Sequence, residues 1–153
     1  MIEDQNIPWP IDLRVSGIAA ACWAIYLAHS AIIGDPMIDA AAPVHAVIGG
    51  LLFYGSQARV VFLIEAGIFW AFAVGLIAGK RWGLLLALSY MAEVVMSHLI
   101  FIVAYLDNRN EWNHVHLAAD EGPFFVLVTL YLWIRACDLI FSGTREREKR
   151  DAA

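Results

Sequence analysis

Residues 58–78 read ARVVFLIEAGIFWAFAVGLIA. Arg59 is the second residue of the run, Glu65 follows six positions later, and the rest is apolar or small. A helix that crosses the ~30 Å hydrocarbon core of a bilayer needs about 20 mostly apolar residues at ~1.5 Å each. This stretch therefore reads as a membrane span with a carboxyl group inside it.

Three other stretches meet the same test: about Val15 to Ile33, Trp82 to Leu106 and Pro123 to Phe141. The first exceeds the apolar core of a signal peptide and no small-residue cleavage site follows it, so it reads as a retained helix. The expected fold is all-α, a polytopic membrane protein with four transmembrane helices in a single domain over residues 1–153. Residues 143–153 form a tail. Between the first two spans, Ala40 to Tyr54 is apolar but broken by Pro43, Gly49 and Gly50. It is too short to span, which predicts a short interfacial or re-entrant helix.

Composition agrees. The 153 residues are 61% hydrophobic and 16% charged, whereas soluble domains are about 45–50% apolar and about 25% charged. A net charge of −5 and no basic face exclude a nucleic-acid partner. Cys22 and Cys137 lie in apolar runs and suggest neither a disulfide framework nor a zinc knuckle. There is no Gly-rich phosphate loop, G-x-S-x-G or H-E-x-x-H, which removes the enzyme classes those motifs mark.

Orientation follows the basic residues. Lys80 and Arg81 lie between spans two and three, Arg14 precedes span one, and Arg145, Arg147, Lys149 and Arg150 follow span four. The opposite loops carry Arg109 against Asp35, Asp39, Asp107, Glu111, Asp120 and Glu121. Both termini are expected to be cytoplasmic, and so short a form suits a bacterial inner membrane. Near the basic side, Tyr131, Arg135 and Asp138 follow helical spacing, and Arg135 with Asp138 reads as an ion pair. On span two, Gly67, Ala71, Gly75 and Gly79 form a ridge of small residues, the surface on which membrane helices approach closely. It serves packing within the bundle or a seam for a homodimer or larger membrane complex.

Ionisable groups in hydrocarbon cost at least ~2.5–3.5 kcal/mol each at mid-membrane, so the buried ones are candidate functional residues. Glu65 and His98 fall at a shared depth on spans two and three, with Glu93 deeper and His29 near the outer end of span one. His29, Glu65 and His98 are expected to converge from three helices. Cys22, Tyr26 and His29 share one helical stripe; Tyr90, Glu93 and Ser97 share another, with His98 roughly 140° from Glu93. Desolvation favours a neutral carboxylic acid, which is a usable proton donor and, beside a base, a proton shuttle. The candidate acid–base residues are thus Glu65, His29, Glu93 and His98. Trp23, Tyr26, Phe69, Trp70, Tyr90 and Ser97 are candidates to line the pocket. The plainer alternative is that these polar groups are hydrogen-bonded glue between helices.

No cofactor is required by this reading. His114 and His116, an H-x-H pair among acidic residues, are weak candidates for a metal. Haem held between His29 and His98 is a second alternative.

The Tyr26-Leu27-Ala28-His29 segment followed by Asp35, the Phe62-Leu63-Ile64-Glu65 segment, and the stretch from Leu106-Asp107-Asn108-Arg109 through Trp112 to His114 resemble the EXPERA group of sterol isomerases and sigma-2-type receptors. The resemblance spans all four helices. In that group the first acid follows its histidine within one helical turn; here that position is Ile33, and Asp35 is the nearest acid. The resemblance implies a pocket in which an acid protonates a carbon–carbon double bond and a second carboxylate removes a proton elsewhere. The expected function is then an intramembrane carboxylate/histidine pocket for an apolar, lipid-like molecule, with sterol or isoprenoid double-bond isomerisation as its sharpest form. The alternatives are a non-catalytic accessory subunit that carries haem or pigment, and a small proton-coupled transporter.

Overall fold

The computed structural model describes residues 9–33, 45–107 and 112–151. In chain order these form α1 (Ile11–Ile32), β1 (His45–Ile48), β2 (Leu51–Tyr54), α2 (Gly55–Ile77), α3 (Arg81–Tyr105) and α4 (Trp112–Asp151). Among the described residues, four helical segments are long and apolar enough to cross a membrane: Ile11–Ile32, Gly55–Ile77, Arg81–Tyr105 and Ala118–Ile140. The fold is a helical membrane bundle, as the sequence predicts, with one short β-hairpin added to it. Large apolar side chains such as Ile18, Ile25, Leu63, Trp70, Leu99, Val103, Leu127 and Ile134 are exposed. Such a surface suits lipid, which solvates apolar side chains as well as a protein core does.

α4 is longer than predicted. It begins before the acidic pair Asp120 and Glu121, runs through Pro123, and continues into the expected tail as far as Asp151. A membrane helix accommodates proline because neighbouring groups re-satisfy the freed carbonyl.

The helices pack in the series α1–α2–α3–α4. The contacts are tightest at the end that carries Lys80 and Arg81. A Cβ placed on Gly75 would lie 2.5 Å from the Gly83 Cα, and one on Gly17 would lie 3.1 Å from the Ala73 carbonyl oxygen. Gly75 therefore fulfils the ridge's packing role within the bundle. Gly67, on the same ridge, is exposed and has nothing within 4 Å of a would-be Cβ. The main core joins Leu13 and Ala20 of α1, Phe72, Ala73 and Leu76 of α2, Leu84, Ala87 and Met91 of α3, and Leu132, Ala136 and Leu139 of α4.

Asp12 ties the two outer helices together. Its Oδ2 accepts from the Tyr131 hydroxyl at 2.9 Å and the Arg135 Nε at 2.6 Å, and Arg135 Nη2 also reaches it. The predicted Arg135–Asp138 contact is present at 3.4 Å, but it is subordinate to this bridge. Spacing within α4 could not reveal a partner 123 positions away.

The predicted interfacial or re-entrant helix takes a different form. Its described residues, His45 to Tyr54, make an antiparallel hairpin paired His45↔Tyr54, Ala46↔Phe53, Val47↔Leu52 and Ile48↔Leu51. Gly49 and Gly50 form the turn with φ of 58° and 76°. A two-residue hairpin turn of type I′ needs positive φ at both central residues, which two glycines supply at low cost. The same pair would weaken a helix by about 1 kcal/mol per glycine. Flanking Val, Ile, Phe and Tyr side chains favour extended backbone. One hairpin face, with Ala46, Ile48 and Phe53, packs on Ala58, Val61 and Phe62 of α2. The other, with Val47 and Leu52, packs against a cluster built on Phe101 of α3 with Val115 and Ala118 of α4. The hairpin is thus a wedge between α2 and α3 at the end opposite their glycine crossing. Non-helical backbone at membrane depth is tolerated where protein covers it.

Candidate functional site

Glu65 lies 12 residues before the end of α2 at Ile77, and Glu93 lies 12 residues after the start of α3 at Arg81. The two carboxyls therefore stand level near the middle of an antiparallel helix pair, and each is partly buried. Tyr90, one turn before Glu93, is 8% exposed. Its hydroxyl donates to Glu65 Oε1 at 3.0 Å. Phe69, one turn after Glu65, meets the Tyr90 ring edge-on with centroids 5.5 Å apart, and Phe72 lies 6.4 Å from the same ring. A carboxyl, a phenol and an aromatic wall thus share one level of the α2–α3 interface.

The Tyr90–Glu93–Ser97 stripe is present, and below Tyr90 it meets the hairpin tip. Glu93 Oε1 accepts from the Gly49 N–H at 3.3 Å, and Ser97 Oγ accepts from the Gly50 N–H at 3.0 Å. Backbone N–H groups at a turn have no ladder partner, and one left unpaired in an apolar interior costs about 1–3 kcal/mol. Ser97 removes that cost at buried Gly50, and Glu93 supplies the partner of the exposed Gly49 N–H.

His98 faces α4. Its Nδ1 lies 2.8 Å from the Val94 carbonyl oxygen, so that nitrogen carries the proton. Its Nε2 lies 3.9 Å from Glu121 Oε2, and its ring packs on Phe125 with centroids 5.0 Å apart. This follows from the ~140° offset from Glu93: one side of α3 faces the hairpin while another faces α4.

The expected convergence of His29, Glu65 and His98 does not form. His29 is exposed on α1, a helix that packs on α2, whereas His98 looks toward α4 from the far side of the α2–α3 pair. The expected depths also shift: Glu65 stands level with Glu93 rather than with His98, and depth along a helix says nothing about the direction a side chain faces. The two imidazoles do not face a common gap, so the bis-histidine haem arrangement is not supported. Trp23 and Trp70 are 45% and 52% exposed and lie outside the site. Tyr26 stacks on Trp23 at 5.0 Å on α1. Of the predicted lining residues, Tyr90 and Phe69 gather at Glu65, while Ser97 holds the hairpin tip. The side chain of His114 lies outside the described residues, and His116 is exposed. Among the described residues no group of three or more His, Cys, Asp or Glu side chains is placed to hold a metal ion.

Comparison with protein families, with curated proteins and with solved structures finds no match to this chain.

Proposed function

We propose that Glu65 and Tyr90 form an intramembrane proton-transfer site that acts on an apolar, lipid-like molecule. The observation that carries this reading is the 3.0 Å hydrogen bond from the Tyr90 hydroxyl to Glu65 Oε1 at mid-span, beside Phe69 and Phe72. In a neutral carboxylic acid the carbonyl oxygen is the acceptor. Tyr90 thereby assigns Oε1 as the carbonyl and leaves the acidic proton on Oε2.

Double-bond isomerisation of a sterol or isoprenoid is the sharpest form of the proposal. Oε2–H delivers its proton to one alkene carbon, the π electrons make the new C–H bond, and the neighbouring carbon becomes cationic. The Tyr90 and Phe69 rings offer π electron density to that cation. Loss of a proton from the carbon beyond it, back to Glu65 or to Glu93, restores a double bond one position along. Atoms and electrons balance without a redox partner. Both termini are assigned to the cytoplasmic side of a bacterial inner membrane, on the support of Lys80, Arg81 and the basic C-terminal tail. Incubation of a lipid extract with the wild type and with Glu65→Gln tests the proposal: product forms with the first alone. Equal turnover by both proteins overturns it.

One observation favours a second reading, a non-catalytic accessory subunit of a larger membrane complex. The open Gly67, flanked by exposed Leu63, Ile64, Trp70 and Val74, leaves a strip of α2 on which another helix can lie. Purification in mild detergent separates the two: a stoichiometric partner supports the second reading, and a monodisperse chain with retained lipid supports the first.

A further inference from the structure

The hairpin stops one helical turn short of Glu65 along α2, and on α3 its tip reaches Glu93, which stands level with Glu65. It packs on Val61 and Phe62 of α2, the residues four and three positions before Glu65. Its tip bonds to Glu93, three positions after Tyr90. The glycine crossing at Gly75 and Gly83 shuts the α2–α3 interface from the other end. The Glu65–Tyr90 level therefore lies between a fixed crossing and an inserted hairpin. The crossing is backbone against backbone, whereas two hydrogen bonds and one close seat hold the tip. That seat is tight: a Cβ on Gly50 would lie 2.3 Å from Ile100 Cγ2 and 2.8 Å from Ile100 Cβ. A Cβ on Gly49 would meet nothing within 4 Å.

We propose that the hairpin is a gate to Glu65: its Gly49–Gly50 tip, latched by Glu93 and Ser97 and seated on Ile100, closes the approach for apolar molecules, which enter when the tip lifts. The inference rests on the proposed function in taking Glu65 as the group to be reached, although its test requires no turnover. Because the tip is held by a serine hydroxyl, a carboxyl oxygen and a seat on Ile100 and the Phe101 backbone, it can open without parting the helices. Local openings of this kind draw on the least stable segments of a fold.

Gly49 and Gly50 provide an internal control. Both have positive φ, so alanine at either strains the turn, but only Gly50→Ala also meets Ile100. Ser97→Ala removes the Gly50 acceptor with no added volume and serves if Gly50→Ala folds poorly. The probe is dicyclohexylcarbodiimide, an apolar reagent that adds a protonated carboxyl across its C=N bond and ends as a stable N-acylurea. Modification of Glu65 is followed by mass spectrometry of the full chain in nanodiscs, with helical content checked by circular dichroism.

Gly50→Ala and Ser97→Ala are expected to label at Glu65 about tenfold faster than the wild type, and Gly49→Ala within about twofold of it. Equal rates in all four proteins overturn the gate and assign entry to a lateral route. Equal acceleration by Gly49→Ala and Gly50→Ala overturns the seat on Ile100, and absence of Glu65 labelling throughout overturns the accessible site. Gated labelling without lipid turnover removes the isomerase reading alone. Turnover abolished by Glu65→Gln with ungated labelling removes the gate alone.

Discussion

The Tyr90 hydroxyl donates to Glu65 Oε1 at 3.0 Å, which joins α3 to α2 at the mid-level of the bundle. This bond lets stability and chemistry be separated by substitution. Glutamine at position 65 keeps an oxygen that accepts from Tyr90 but has no acidic proton. Glu65→Gln is therefore expected to melt within a degree or two of the wild type, roughly the shift of a few tenths of a kcal/mol, while lipid turnover is lost. A large drop in melting temperature would assign the carboxyl to structure.

Tyr90→Phe keeps the ring on Phe69 and removes the donor. The expected cost is about 1 kcal/mol, typical of one hydrogen bond, read as a modest fall in melting temperature in detergent. Turnover is expected to fall but persist, because Glu65 keeps its proton and loses only its orientation. Unchanged turnover would show that Tyr90 does not position the acid.

The small-residue ridge predicts opposite outcomes at two glycines. Gly75→Ala drives a methyl into the Gly83 backbone and is expected to destabilise by about 1–3 kcal/mol, the usual cost of overpacking. Gly67→Ala enters open space and is expected to be neutral or to stabilise by up to about 1 kcal/mol through helix propensity. Thermal melts of the two purified variants check this. A destabilised Gly67→Ala would point to a partner seated there.

The two histidines also separate. His29→Ala is expected to change neither melting temperature nor turnover, because its side chain is exposed on α1. His98→Ala removes the Val94 bond and the Phe125 contact and is expected to lower the melting temperature. Equal effects from both substitutions would contradict the opposite facings of α1 and α3.

The Asp12 bridge closes the bundle between α1 and α4. Asp12→Asn and Arg135→Gln are each expected to lower the melting temperature, and the double variant is expected to lose less than the sum. Both side chains are about one-third exposed, so the loss shrinks at high salt. Strict additivity would show that the two residues do not interact.

Four spans were legible because hydrocarbon thickness converts directly into residue count, as in residues 58–78. The Tyr90–Glu93–Ser97 stripe was legible for a similar reason, since helical periodicity fixes which residues share a face. Periodicity does not say what a face meets, and the hairpin tip beneath Glu93 was missed. The signal was there: Val47-Ile48 and Leu52-Phe53-Tyr54 flank a Gly-Gly pair, the pattern of a two-residue hairpin. Low polarity and the preference for helices in lipid pulled the reading the other way. The orientation of His29 had no signal, because residues at one depth can face any direction. The Arg135–Asp12 bridge was hidden because it joins the first and last helices.

The most direct measurement is isomerisation of an apolar lipid extract by the reconstituted protein in D2O, with deuterium located in the product by mass spectrometry. A proton relay through Glu65 predicts one solvent deuteron on the new C–H position with the wild type and none with Glu65→Gln. Deuterium incorporation that is equal in the two proteins would contradict it.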